Sequence, residues 1–247
     1  MAHLYIADDL VESSVGAVVE LRGAEARHAV GVSRLRTGES VFLTNGVGLL
    51  LDTHAVAVAK DHVSLEVESI IKVAPNKPDV TLVQALAKGD RDERAIEMAT
   101  ELGISSVIPW QASRSVSRWE GDKAEKGKIR WQSIVREASK QSIRAWVPLV
   151  HDVVSTKQLC GQDFSGLTIV LDPSGTSSVG AVLTNHSASV QGGIRLVVGP
   201  EGGIASEELE ILVSAGAVVV GLGKNILRTS TAGPAVLSVI NELLGRW

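Results

Sequence analysis

The chain has 247 residues, of which 45% are hydrophobic and 21% are charged, a composition typical of a globular protein with one large domain or two small ones. Its net charge of −4 excludes nucleic-acid binding through bulk charge alone, and its single cysteine, Cys160, excludes an intramolecular disulfide framework and a cysteine-based zinc site. No apolar run approaches the roughly 20 residues of a membrane-spanning helix. The first ten residues lack the pattern of a secretory leader, so we expect a cytoplasmic protein with no membrane partner.

The charge is unevenly distributed along the chain. Residues 1–72 carry 6 Lys and Arg against 10 Asp and Glu, residues 73–150 carry 13 against 10, and residues 151–247 carry 5 against 8. The basic middle third favours RNA binding there, although a solvated basic helix would give the same pattern.

The first 72 residues are predicted to be rich in β-structure. Short apolar or alternating runs predict strands at residues 15–21, 39–45, 48–59 and 63–70. Residues 23–39 predict an inserted helix that ends near Thr37 and Gly38. Several short strands closing on themselves favour a small barrel or sandwich.

Residues 74–80, APNKPDV, predict a linker because two prolines interrupt the periodicity. After the linker, apolar strands alternate with amphipathic helices. The predicted strands lie at 80–86, 104–110, 167–173, 194–200 and 217–223, and the helices at 91–103, 122–142, 206–216 and 230–247. Ser206 is the expected N-cap of the third helix, and Pro234 is expected in the first turn of the last one. This alternation predicts an α/β domain with a mostly parallel sheet.

Three of these strands end in unusual loops: LDPSG at 171–175, GPEGG at 199–203 and LGKNILRTS at 222–230. If the three strands are neighbours, the loops form one pocket beyond the carboxyl edge of the sheet. GPEGG is neither a phosphate-binding P-loop nor a dinucleotide-binding fingerprint. Its glycines allow the backbone to approach a ligand closely, and Glu201 supplies an acceptor. Such a loop suits a cationic cofactor with an apolar body.

These residues resemble a known family. GPEGGIASEELE followed by LGKNILRTSTAGPA is similar to the signature of the RsmE family of 16S ribosomal RNA uracil-N3 methyltransferases, in the SPOUT superfamily. The segments EARHAVGVSRLRTGE, LAKGDRDERAIEMATELGISSVIPWQASRSV and REASKQSIRAWVP resemble other blocks of the family in the same order. The resemblance therefore spans the whole chain.

The resemblance implies a fold and an activity. It implies a PUA-like RNA-binding β-barrel domain in residues 1–72 and a SPOUT α/β domain with a deep trefoil knot in residues 73–247. It also implies methyl transfer from S-adenosylmethionine to N3 of uridine 1498 in the 16S RNA of the small ribosomal subunit. The family further implies a homodimer through the knot region. No metal site is expected, since the histidines show no ligand spacing.

The resemblance also implies site residues. The expected cofactor contacts are Leu171, Pro173, Gly199, Pro200, Glu201, Gly202, Leu222, Gly223, Ile226, Leu227 and Arg228. The expected RNA contacts are Arg27, Arg34, Lys88, Arg91, Arg114, Arg118 and Arg144. Each of these cations could instead be a solvated surface charge. Trp119 could stack on a base, and Trp131 is more typical of a core residue.

Two residues are predicted to take part in catalysis. The proton on uracil N3 must leave before or during the attack on the methyl group, and a nearby general base is the usual device. We expect Arg228 to stabilise the uracil anion or hold the substrate, and Glu201 to be a cofactor ligand first and a base second. The sequence departs from the family at Ser230, because LRTSTA replaces the usual Leu-Arg-Thr-Glu-Thr-Ala.

Three other functions stay open from the sequence. A non-catalytic RNA-binding factor for ribosome assembly could keep the same fold, and a methyltransferase could act on another base. A nucleotide hydrolase is less compatible, because the chain has no P-loop lysine and no clear pair of carboxylates for magnesium.

Overall fold

The computed structural model describes residues 3–247. The chain forms two compact units, one of residues 1–75 with 139–147 and the other of residues 76–138 with 148–247. The boundary near Pro75 falls inside the linker predicted from the sequence. Residues 139–147, which the sequence places in the second domain, group with the first unit. The indole of Trp146 donates a hydrogen bond to the carbonyl of Val73 at 2.8 Å, and its ring occupies the space that a Cβ on Gly48 would need.

The first unit contains a five-stranded sheet. Its elements are β1 (Leu4–Ile6), β2 (Val18–Arg22), α1 (Gly23–Gly31), β3 (Ser40–Thr44), β4 (Leu49–Val58) and β5 (His62–Lys72). The strand order is β1-β3-β4-β5-β2, with β1 parallel to β3 and the other pairs antiparallel. Alternate residues of β4 and β5 are buried and form the core of this unit with α1.

One predicted boundary in the first unit is wrong. Helix α1 ends at Gly31 rather than near Thr37. The chain then turns, and Arg34 takes a left-handed conformation with φ of 55°, which a continuing helix cannot accommodate.

The second unit is a parallel α/β structure. Its elements are β6 (Val80–Ala85), α2 (Arg91–Glu101), β7 (Ser106–Trp110), α3 (Asp122–Gln141), β8 (Leu149–Val150), α4 (Thr156–Cys160), β9 (Leu167–Leu171), α5 (Val179–Asn185), α6 (Ser187–Val190), β10 (Ile194–Val198), α7 (Ser206–Ser214), β11 (Val218–Val220) and α8 (Thr229–Leu243). The last three residues of α3 belong to the first unit. The strand order is β11-β9-β10-β6-β7-β8, and every neighbouring pair is parallel. The predicted α/β class and parallel sheet are therefore confirmed.

Two helix starts differ from the prediction. Ala205, not Ser206, is the N-cap of α7. Helix α8 begins at Thr229, so Pro234 lies in its second turn, where a proline removes one helical hydrogen bond. Its neighbour Gly233 packs against Leu82 and Val198 of the sheet, and a Cβ there would crowd both side chains. This glycine lets α8 lie close to the sheet.

Candidate functional site

The three unusual loops meet at one edge of the sheet. Strands β9, β10 and β11 are neighbours, so the condition set by the sequence for a single pocket is met. We call residues 172–178 the first loop, 199–205 the second loop and 221–228 the third loop. All three follow the carboxyl ends of parallel strands, where ligands of open α/β sheets bind.

The first and third loops are in direct backbone contact. A Cβ on Gly175 would overlap the backbone of Val220 and Gly221, and a Cβ on Gly221 would overlap the carbonyl of Gly175. The backbone N–H of Asp172 also donates to the carbonyl of Val220 at 3.2 Å. Only glycine at positions 175 and 221 permits this approach.

A buried hydroxyl joins the second loop to the start of α8. Thr229 Oγ1 donates to the carbonyl of Gly199 at 2.7 Å and accepts from Gln84 Nε2 at 2.9 Å. Gln84 is fully buried at the end of β6, and its Oε1 has no hydrogen-bond partner among the described residues. We call Gln84, Thr229 and Gly199 the Thr229 link. The sequence analysis missed it, although a glutamine inside an otherwise apolar strand was an available signal.

Glu201 is held by the loop that follows β6. Its Oε1 accepts from the backbone N–H of Lys88 at 3.0 Å and from Arg91 Nη1 at 2.6 Å. Burial acts to raise the pKa of Glu201, but hydrogen bonds from backbone N–H groups and from Arg91 outweigh it and hold that pKa below its usual value. The carboxylate is therefore ionised, and its Oε1 is already hydrogen-bonded to Lys88 and Arg91.

Arg114 supports the other end of the second loop. Its Nη1 donates to the carbonyl of Gly202 at 3.1 Å, and a Cβ on Gly202 would approach the Arg114 Cβ to 3.3 Å. The adjacent Ser113 donates through both N–H and Oγ to Glu208, a buried acid of α7. Arg118 Nη2 in turn donates to the carbonyl of Ser113 at 3.0 Å. Three cations predicted to bind RNA thus lie near the second loop or contact it: Arg91, Arg114 and Arg118.

Residues of the third loop have a different environment. The side chain of Ile226 is 83% exposed, and Arg228 is exposed at the N-cap of α8, where its side chain makes no capping hydrogen bond. Gly223 has φ of 86° and open space where a Cβ would stand. Leu222 and Leu227 are half-buried. The loop therefore presents both polar and apolar side chains together with free backbone.

The remaining predicted residues lie in several places. Leu171 is buried at the end of β9, and Pro173 and Pro200 stand in the first and second loops. The Lys88 side chain is exposed. The other predicted RNA contacts belong to the first unit: Arg27 and Arg34, which are exposed, and Arg144. Burial lowers the pKa of Arg144 to about 10.

Within residues 3–247, no three or more His, Cys, Asp or Glu side chains are grouped so that they could hold a metal ion. None of the helices in the described part of the chain is long and apolar enough to cross a membrane.

The comparisons with known proteins agree on one family. Residues 74–241 match the family model of the RNA methyltransferase domain. The ribosomal RNA small subunit methyltransferase E of Mycobacterium tuberculosis is 40% identical over 252 residues, covering 100% of this chain and 94% of that protein. The protein of the same name from Bacillus subtilis is 36% identical, covering 90% of this chain and 88% of that protein.

A solved structure has the same fold over nearly its whole length. The crystal structure of the ribosomal RNA small subunit methyltransferase E from Neisseria gonorrhoeae, bound to S-adenosyl methionine, matches with a TM-score of 0.87 and 26% identity and covers 98% of each chain. With a family model over most of the sequence and a relative at 40% identity over all of it, this chain belongs to the ribosomal RNA small subunit methyltransferase E family.

Proposed function

We propose that this protein transfers the methyl group of S-adenosylmethionine to N3 of a uridine in 16S ribosomal RNA, at the position numbered 1498. The observation that carries the proposal is the meeting of three glycine-bearing loops at the carboxyl edge of the sheet in a member of this family. The uridine N3 target is more specific than the family assignment and rests on the resemblance of the loop sequences to the RsmE family.

The loops fit S-adenosylmethionine. Their glycines leave backbone groups accessible, and the exposed Ile226 and half-buried Leu222 supply apolar side chains that suit the adenosine and the methionine stem. The acid of the second loop, Glu201, is already paired with Arg91, so backbone dipoles rather than this carboxylate recognise the sulfonium. The proposed contacts are those expected from the sequence: Leu171, Pro173, Gly199, Pro200, Glu201, Gly202, Leu222, Gly223, Ile226, Leu227 and Arg228. When bound, the sulfonium supplies an electrophilic methyl group.

The contacts of Glu201 and Arg228 favour different roles for these two catalytic candidates. Glu201 accepts two hydrogen bonds and has a lowered pKa, so it is a poor proton acceptor for uracil N3, and we assign it to holding the second loop. Arg228 is exposed and lies between the third loop and α8. We assign it to stabilising the negative charge that develops on the uracil as the N3 proton passes to a solvent water.

We further propose the family architecture for this chain. The five-stranded sheet of the first unit supports a PUA-like RNA-binding domain with boundaries near residues 1–72. Helix α8 follows the third loop directly and packs against α2 and α5, which supports a knotted C-terminal segment in residues 73–247. Val239, Leu243 and Trp247 are exposed on this segment, which supports a homodimer through the knot region. We also propose a cytoplasmic location, because the proposed substrate is the small ribosomal subunit.

Calorimetric titration with S-adenosylmethionine and transfer of labelled methyl groups to unmethylated small subunits test the proposal together. We expect saturable binding and one methyl group per subunit. Absence of binding at high cofactor concentration would instead indicate an assembly factor without catalytic activity.

A further inference from the structure

A groove of about 510 Å³ opens in the second unit between the segment after β7 and the first turns of α3. It is lined by Val116, Ser117, Arg118, Trp119, Lys123 and Lys126. We call it the Trp119 groove. It lies outside the three loops described above.

The indole of Trp119 is a rigid part of this groove. It lies against the backbone of α3 at Gly127, where any Cβ would overlap the ring. Glycine is normally unfavourable inside a helix, and here it admits the indole. Trp131 packs edge-on with ring centroids 5.0 Å apart and an interplanar angle of 69°, and the Trp119 backbone N–H donates to Gln111 Oε1 at 2.7 Å.

Exposure separates the two tryptophans. Trp131 is 1% exposed and belongs to the core, whereas Trp119 is only half-buried and lines the groove. The fixed orientation and partial exposure of Trp119 therefore suit a stacking platform.

The rim of the groove is cationic. Three of the six lining residues are Arg118, Lys123 and Lys126, and none is acidic. Throughout the described residues, no carboxylate pairs with Lys123 or Lys126. The acids of the same turns, Asp122 and Glu125, stand outside the lining.

The same segment of chain reaches the second loop. Residues 111–121 carry Arg114, which holds the Gly202 carbonyl, and Arg118, which reaches back to the Ser113 carbonyl. The Trp119 groove and the second loop are therefore supported by one connected segment within the second unit.

We infer that the Trp119 groove binds a single-stranded nucleotide of the RNA substrate, with a base stacked on Trp119 and neighbouring phosphates held by Arg118, Lys123 and Lys126. Single-stranded RNA is recognised by this combination of aromatic platform and cations. The inference rests on the proposed function and names the surface that holds RNA beside the target uridine. Unpaired cations alone would also attract an acidic peptide, but the platform favours a base.

The test compares lysine variants outside the cofactor loops. We expect K123Q/K126Q to raise KM for unmethylated small subunits about tenfold, with kcat changed less than about twofold, because binding and not chemistry is lost. Its affinity for S-adenosylmethionine should equal that of the wild type. The matched control is K157Q, which removes an exposed charge from α4 of the same unit and should leave KM unchanged.

Binding to protein-free 16S RNA gives a second readout. The slope of log affinity against log salt should fall by about 1.4 in K123Q/K126Q, or about 0.7 for each lost phosphate contact. W119L should weaken binding about tenfold, and W119F should retain most of it, because a phenyl ring still stacks. Circular dichroism and the thermal midpoint identify any Trp119 variant that fails to fold, and the lysine pair does not depend on that packing.

Three results would overturn the inference. One is an unchanged KM and salt slope in K123Q/K126Q when the wild type methylates normally. Another is a loss with small subunits but not with protein-free RNA, which would assign the groove to a ribosomal protein. The third is an equal loss in K157Q. Failure of the wild type to bind cofactor would contradict the proposed function instead.

Discussion

The second and third loops lie at the same edge of the sheet but are held in opposite ways. The second loop is fixed by side chains from three other segments, through Arg91, Arg114 and Thr229. Within the part of the chain that the structure describes, residues 222–227 make no hydrogen bond, and Ile226 is almost fully exposed. Only Gly221, at the start of the third loop, is packed tightly, against Gly175.

This difference indicates that the two loops contribute to ligand binding in different ways. The second loop is organised before any ligand arrives, so it can position a cofactor at little entropic cost. The third loop keeps its polar and apolar groups available, so its contacts form when cofactor and RNA bind. Substitutions in the second loop should therefore affect stability as well as cofactor affinity, and those in the third loop should affect cofactor affinity or turnover with little change in stability.

The sharpest separation is expected for Arg228. R228A should lower kcat about 100-fold, in the range seen when one oxyanion-stabilising donor is removed. The thermal midpoint should stay close to that of the wild type because the side chain is exposed, and cofactor affinity should fall much less than kcat because ten other proposed cofactor contacts remain. Single-turnover methyl transfer and calorimetry measure the two effects, with K224A in the same loop as control. Equal losses in cofactor affinity and turnover would place Arg228 in the cofactor site alone.

A smaller but still large effect is expected where the first and third loops touch. G175A should destabilise the protein by about 1–3 kcal/mol and weaken cofactor binding, because its Cβ overlaps the backbone of Gly221. Denaturant unfolding measures this change. The control is G180A in α5, where a Cβ meets nothing closer than Leu243 at 3.7 Å, and it should be neutral or slightly stabilising. Equal free energies of unfolding for G175A and G180A would show that the close contact at Gly175 does not constrain this position.

The Thr229 link should contribute to stability over a similar range. T229V keeps the shape but leaves the Gly199 carbonyl and one N–H of the Gln84 amide without a partner, at a cost of about 1–3 kcal/mol. T229S keeps the hydroxyl and should recover most of the stability, as measured by thermal unfolding. A neutral T229V would show that the link does not organise the second loop.

The smallest effect on turnover is expected for E201Q. The amide still accepts from the Lys88 N–H, so kcat at neutral pH should fall less than about threefold, whereas E201A should weaken cofactor binding about tenfold. The folded-state pKa of Glu201 is lowered, so its contribution is present above its ordinary pKa and is lost only as the pH falls through the lower folded value. Activity between pH 6 and 8 should therefore not report this group. A kinetic pKa in that range that disappears in E201Q would instead assign Glu201 as the base.

Local pattern predicted much of this architecture. Apolar runs located the parallel strands, and three glycine-bearing strand ends predicted one shared pocket, because parallel strands direct their carboxyl ends to the same edge. The predicted end of α1 was wrong, because the turn at Arg34 depends on a left-handed backbone conformation that the sequence pattern does not reveal.

Long-range contacts could not be predicted in this way. The Thr229 link joins residues 145 positions apart, and Glu201 meets Arg91 across 110 positions. These partners are set by the folded topology and not by local spacing. Residues 139–147 group with the first unit for the same reason, through contacts such as that between Trp146 and Gly48.

The central claim is methylation of uridine N3 in small-subunit RNA, and nucleoside mass spectrometry of 16S RNA tests it most directly. We expect N3-methyluridine to be absent from cells that lack this protein and to return with the wild-type gene but not with R228A. Retention of that nucleoside in the deletion strain, or loss of a different methylated base, would contradict the claim.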